Sequence, residues 1–451
     1  MSSKLKSTQS QLALFGGPKA VRSKPRDLFT WPIITDDDRR AVLEVLNRGA
    51  MSQLGVTKAF EAEFAQWQGV RYALAHSTGT AALEAAMFGC GIGRGDEIIC
   101  QSVTYWASAM PCYNVGATVV FAEIDPATLC IAPDDIERRI SKRTKAILVV
   151  HYLGHPTDMD PVMKIARKHK LLVIEDVSHA QGGLYKGKKL GTIGDVAGMS
   201  LMSEKSFAIG EAGILVTDNR RIYERAVAWG HYERFQKPDD IETASLKGFV
   251  GLPLGGHKYR MHQLSSAVGR VQLKHYDARC AEIRKALNFF WDLLDGVPGL
   301  RAHRTDPKDP KTNMGGWYCA HGLYLPEELG GLSVTRFAEA VRAEGSVCSG
   351  GSNRPLHLHP VFNTADVYGD GKPTRIAFSD RDLRQRKGSL PVSEAANARC
   401  YYIPSFKKFY PKLIEEHAMA FRKAAENYKE LLKGDPGDSP MLGDWHFARH
   451  Q

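Results

Sequence analysis

The chain has 451 residues, 43% hydrophobic and 24% charged, an ordinary globular balance that leaves burial unlimited. Its net charge of +10 comes from 60 Lys and Arg diluted along the chain by 50 Asp and Glu, with no basic tail or nucleic-acid module, so a small phosphorylated or acidic ligand is expected before nucleic acid. No apolar run reaches membrane-spanning length, no C-x-x-C pair groups the eight cysteines, and the apolar stretch in MSSKLKSTQSQLALFGG is too short for a secretory leader, so a cytoplasmic protein with reduced thiols is expected.

Residues 1–25 read as a polar arm. Segment 36–70 reads as two amphipathic helices separated by a glycine-containing turn around 49–55. Apolar runs at 72–75, 97–100, 118–121, 146–150, 171–174, 196–200 and 214–217 then alternate with helical stretches such as 79–88, 133–140 and 160–168. That alternation predicts an α/β fold: a mainly parallel sheet flanked by helices, with ligands beyond the carboxyl ends of the strands. After about 275 the texture changes to helices at 277–294, 335–343 and 413–432 with a few short strands such as 322–325. The expected division is 1–275, an arm and a large domain, and 276–451, a smaller C-terminal α+β domain. Residues 363–389, rich in Gly, Asp, Arg and Ser, form an irregular insertion on the second.

Four segments fall at expected strand ends. HSTGTAAL (76–83) opens a helix with small residues around Gly79 and Thr80; its start can bind a phosphate, although a Ser/Thr cap is the simpler reading. VTYWASAMP (103–111) offers Tyr105 and Trp106, either a stacking platform or core. LLVIEDVSHAQGG (171–183) ends a buried strand in Glu175 and Asp176, with His179 beyond. A carboxylate buried there needs a partner, either the amides of a following helix or a cationic heteroaromatic nitrogen. GMSLMSEKSFAIGEAGILVTD (198–218) places Lys205, with Ser200 before it, between a small-residue strand and a glycine-rich return, 29 residues after Asp176.

In their joint order, STGTAALEAAM, GATVVFAEIDP, RTKAILVVHYLGHPTDMD, IEDVSHAQGG, KSFAIGEAG and HKYRMHQLSSAVGRVQL resemble the DegT/DnrJ/StrS-type sugar aminotransferases, a branch of the fold-type I enzymes that use pyridoxal 5′-phosphate (PLP). The similarity runs from about Pro32 to Gln272 and resumes weakly around 354–360 and 391–409. The resemblance implies that Lys205 holds PLP as a Schiff base, that Asp176 pairs with the pyridine nitrogen, and that His179 lies near the ring hydroxyl. It places Gly79, Thr80 and Ser200 in a phosphate cradle and Tyr105 at the ring-stacking position, with Trp106 one place out of register. It also implies a homodimer in which HKYRM reaches the partner's site. Lys258 stands there where Asn is usual, and either meets the phosphate or turns to solvent.

The implied activity is ping-pong transfer of an amino group from glutamate or glutamine to a keto sugar, commonly nucleotide-linked, or to a keto-cyclitol. Two alternatives share the fold: a PLP-dependent sugar dehydratase, against which retention of Lys205 argues, and a non-catalytic PLP-binding regulator. His357 and His359 in PLHLHP have no convincing third ligand nearby, so no metal is expected.

Overall fold

Each of the seven apolar runs between 71 and 217 forms a strand in the computed structural model, which describes residues 11–445. Two helices, α1 (Asp36–Asn47) and α2 (Gly55–Gln68), lead into β1 (Tyr72–His76) and α3 (Gly79–Gly89). There follow β2 (Glu97–Gln101), β3 (Thr118–Ala122), α4 (Pro133–Arg139), β4 (Thr144–Val150), α5 (Met159–His169) and β5 (Leu172–Asp176). A short hairpin, β6 (Leu184–Tyr185) and β7 (Lys188–Lys189), precedes β8 (Val196–Ser200), β9 (Gly213–Thr217) and α6 (Arg220–Gly230).

The seven-stranded sheet has the order β1-β9-β8-β5-β4-β2-β3, and β9 alone runs against the rest. Its strands are apolar on both faces because helices cover both. Leu74, Ile98, Leu148, Ile174 and Leu215 enter one core, while the alternate residues Ala75, Ile99, Ile147, Val173 and Ile214 enter the other. Local chemistry fixes the entry helix α1: Thr35 accepts from the Asp38 amide, and Asp38 accepts from the Thr35 amide at 2.8 Å.

The rest of the chain begins with α7 (Gln263–Leu293) and continues through β10 (Leu300–Ala302), β11 (His321–Tyr324), α8 (Val334–Ala343) and β12 (Ser349–Gly350). It closes with α9 (Pro391–Ala395), β13 (Cys400–Tyr402), α10 (Pro411–Glu426) and α11 (Tyr428–Leu431). An antiparallel sheet of order β10-β11-β13-β12 shares a further core with α7, α8 and α10, including Phe290, Phe337, Tyr401 and Phe421.

The helix and the arm differ from expectation. The helix expected over 277–294 begins at Gln263, so the division expected at 275 falls inside α7, which packs on α1 and α2 as well as on α10. Its early buried face, Gln263, Ser266, Ala267 and Gly269, is small or polar and carries little hydrophobic signature. The described part of the arm is a strap, not a polar tail: Leu12 is fully buried in the C-terminal core, and the Ala13 and Ala20 amides donate to the buried carboxylate of Glu344 at 2.8 and 2.9 Å. Residues 1–10 lie outside the described residues.

The insertion at 363–389 covers the free edge of β3. The Gln385 amide donates to the Phe121 carbonyl at 2.8 Å and accepts from the Phe121 N–H at 3.1 Å, taking the place of a neighbouring strand. Arg375, 1% exposed, donates to the Val119 carbonyl at 3.2 Å and lies over the Phe121 ring. Edge amides and carbonyls are thereby withheld from intermolecular pairing. Among the described residues no helix is long and apolar enough to cross a membrane.

Candidate active site

The carboxyl ends of β5 and β8, the start of α3 and the segment after β2 converge on a cavity of about 320 Å³. Its lining includes Gly79, Thr80, Tyr105, Asp176, His179, Ser200 and Lys205.

The two adjacent acids at the end of β5 point opposite ways and meet different fates. Glu175, fully buried, accepts from His151 Nε2 at 3.0 Å and from the amides of Gly191, Ile193 and Gly194 at 2.6–2.8 Å. Burial raises its pKa, but the hydrogen bond and charge of His151 with the amides outweigh it and leave the carboxyl below its ordinary range. Asp176 faces the cavity, where it accepts from the Ser108 hydroxyl at 2.7 Å and the Ser178 amide at 3.0 Å. Two donors fix its orientation, and the remaining lone pairs suit a cationic ring nitrogen.

Lys205 is 6% exposed. Desolvation pushes its amine down to about 8 against the pull of Cys319, Asp176 and Glu204. Its Nζ stands 4.0 Å from the centroid of the Tyr318 ring, and its carbonyl accepts from the Trp31 indole at 2.8 Å. His179 is held neutral, mainly by burial and then by the charges of Lys205 and His321. Its Nδ1 accepts from the Leu153 amide at 3.2 Å, and its ring packs against Tyr152 and Tyr318.

Close backbone packing shapes the phosphate end. A Cβ on Gly79 would stand 2.6 Å from Ser200 Cα, and one on Gly213 only 2.1 Å from the Thr78 carbonyl oxygen. Only glycines let the start of α3 lie this close to β8 and β9. Thr78 caps the helix by accepting from the Ala81 amide at 3.0 Å, while the Gly79 and Thr80 amides, in the first turn, have no intrahelical acceptor. Lysine amine, ring-facing carboxylate and anion-binding helix start together fit PLP in donor chemistry.

Not every expected residue arrives. Tyr105 lines the cavity; Trp106 does not, and its ring lies against Tyr105 at 5.1 Å between centroids and is 36% exposed. Lys258, expected at the partner's site, is exposed and stands outside the lining of its own chain's cavity. His357 bonds Ser102 and Glu394, and His359 accepts from the Val361 amide and meets the Trp445 ring. Among the described residues no three His, Cys, Asp or Glu side chains gather as a metal site.

Ser108, Ser178, Trp31 and Tyr318 were not singled out from sequence. Ser108 and Ser178 lie within segments already flagged, VTYWASAMP and EDVSHAQGG, whereas Trp31 and Tyr318 come from distant stretches without a local signal.

The profile of the DegT/DnrJ/EryC1/StrS aminotransferase family matches residues 32–422. The chain belongs to this family. It is therefore a PLP-dependent aminotransferase. This aminotransferase is 29% identical over 437 residues to L-glutamine:scyllo-inosose aminotransferase of Streptomyces griseus, covering 94% of its own chain and all of that protein. It is 35% identical over 271 residues to the GDP-perosamine synthase of Caulobacter vibrioides, covering 60% of its own chain and 70% of that protein. The X-ray structure of an aminotransferase from Psychrobacter cryohalolentis superposes with a TM-score of 0.73 at 27% identity, covering 87% of this chain and 97% of that one.

Proposed function

We propose that this aminotransferase moves an amino group from glutamine or glutamate to a keto sugar, nucleotide-linked or free, or to a keto-cyclitol, using PLP held at the Lys205 cavity. One observation carries the reading: the buried Lys205 amine and the Asp176 carboxylate share that cavity with the start of α3. Bound there, PLP supplies the electron sink that amino-group transfer requires.

The chain's own residues do the rest. Lys205 binds the cofactor covalently and, once released, moves a proton at the substrate carbon; an amine with a pKa near 8 is neutral for a substantial fraction of molecules at physiological pH. Asp176, held by Ser108 and Ser178, keeps the ring nitrogen protonated. The Gly79 and Thr80 amides with Ser200 receive the phosphate, and Tyr105 stacks on the ring. Tyr318 and the neutral His179 ring, packed together, close the side of the cavity next to Lys205.

Among the described residues, Lys205 is the only cation in the lining. A second cation for the phosphate comes in this reading from Lys258 of the partner subunit in a homodimer. Support lies in the segment that leads to it, which leaves Phe249, Leu252 and Leu254 exposed, Leu252 by 71%.

The test pairs each donor with each acceptor class. Glutamine or glutamate alone should change the absorbance of the bound cofactor. Initial rates with a keto-cyclitol or a nucleotide-linked keto sugar should give parallel double-reciprocal plots. A cofactor spectrum unmoved by both donors would overturn the reading.

A further inference from the structure

We propose that Glu84 is the positioning residue that presents Lys258 to the partner subunit's site. This rests on the two-subunit reading above.

Glu84 lies on α3, five residues beyond Gly79, and is 2% exposed. Its carboxylate collects donors from three separate parts of the chain. Oε1 accepts from the Tyr259 hydroxyl at 2.8 Å, from the Trp229 indole at 2.8 Å, and lies 3.2 Å from His257 Nε2. Oε2 accepts from the Asn114 amide at 2.6 Å. One buried carboxylate therefore holds the residues on both sides of Lys258. Their rings stack at 4.7 Å with only 9° between planes.

The backbone is fixed as well. The Tyr259 N–H donates to the Gly230 carbonyl at 3.0 Å, and its carbonyl accepts from the Ser77 N–H at 2.8 Å. Lys258 itself is exposed. A lysine has a long, flexible stem, so a defined reach requires a defined backbone, and the two flanking rings provide it. Burying a carboxylate is costly unless donors satisfy it, and here two of the four groups that meet it, Tyr259 and His257, flank Lys258 in the presenting segment. Glu84 also stands on the helix whose first turn receives the phosphate of its own chain.

A merely structural anchor for α3 would affect folding but not depend on Lys258. Full-length apoprotein of the wild type, Lys258→Ala, Glu84→Gln and the double variant would be titrated with PLP, with sedimentation to monitor assembly. Lys258→Ala should weaken PLP binding about tenfold, the scale of one charge-assisted hydrogen bond. Glu84→Gln should weaken it comparably with the dimer retained, and the double variant should be no weaker than Lys258→Ala alone. If Glu84→Gln does not fold, Tyr259→Phe takes its place in the cycle with the same expected non-additivity. Unchanged affinity in the Glu84 variant, or a double variant weakened by the full product of the single effects, would overturn the role of Glu84. Unchanged affinity in Lys258→Ala would instead overturn the two-subunit reading itself.

Discussion

Along the seven-stranded sheet the chemistry follows strand ends: Asp176 closes β5, Ser200 closes β8, and Lys205 lies five residues further on. The four-stranded sheet contributes differently. Tyr318 arrives from the loop before β11, and the insertion between β12 and β13 sends Arg375 and Gln385 back to the far edge of the first sheet. In the first region position along a strand brings a residue to the cavity. In the second, single side chains act across long separations in sequence, and their roles exist only once the chain has folded.

The largest effect separating these regions is expected at Glu175. Replacing it with Leu leaves His151 without its buried acceptor and should cost about 3–5 kcal/mol, read from urea unfolding. Because the folded-state pKa of Glu175 lies below its ordinary value, its contribution should be complete above the ordinary carboxylate range and disappear as pH falls through the folded value. A variant as stable as the wild type would show that strand-end burial is less demanding than the first region implies.

A smaller effect is expected from the insertion. Gln385→Ala uncovers the Phe121 amide and carbonyl and should cost about 1–3 kcal/mol, with increased self-association in light scattering while aminotransfer is retained. Loss of activity without loss of stability would instead assign the insertion to the site.

The smallest concerns Tyr318, whose ring face stabilises the charged form of Lys205 by roughly 0.5–2 kcal/mol. The neutral amine is the form that reacts with PLP, so association with apoprotein should rise with pH through about 8 and then level. Removing a group that favours the cation lowers the pKa, so Tyr318→Leu should move that rise to lower pH. A shift upward would mean that the burial lost with the ring outweighs the lost cation–π contact.

These contrasts explain what could be read before folding. Strands with both faces buried are continuous apolar runs, and residues at their carboxyl ends form recognisable short segments; Lys205, Asp176, His179, Ser200, Gly79, Thr80 and Tyr105, which line the cavity, all stand in such segments. Neighbouring rings were harder to separate, because Tyr105 and Trp106 differ only in which one the turn after β2 directs inward. The start of α7 was hidden by its small and polar buried face. Tyr318, Trp31 and Gln385 had no local pattern at all: each meets partners more than a hundred residues away, and such contacts leave no periodicity.

Lys407 supplies the control for the central claim. It too is a buried lysine whose amine burial pushes down to about 8, but it lies against Trp31 and does not line the cavity. Lowered basicity alone would make both lysines candidates; position selects Lys205. The direct measurement is borohydride reduction of PLP-loaded protein followed by peptide mapping, with Lys205→Ala alongside. The adduct should fall on Lys205 alone and vanish in the variant together with aminotransfer. An adduct on Lys407, or activity retained without Lys205, would contradict the account.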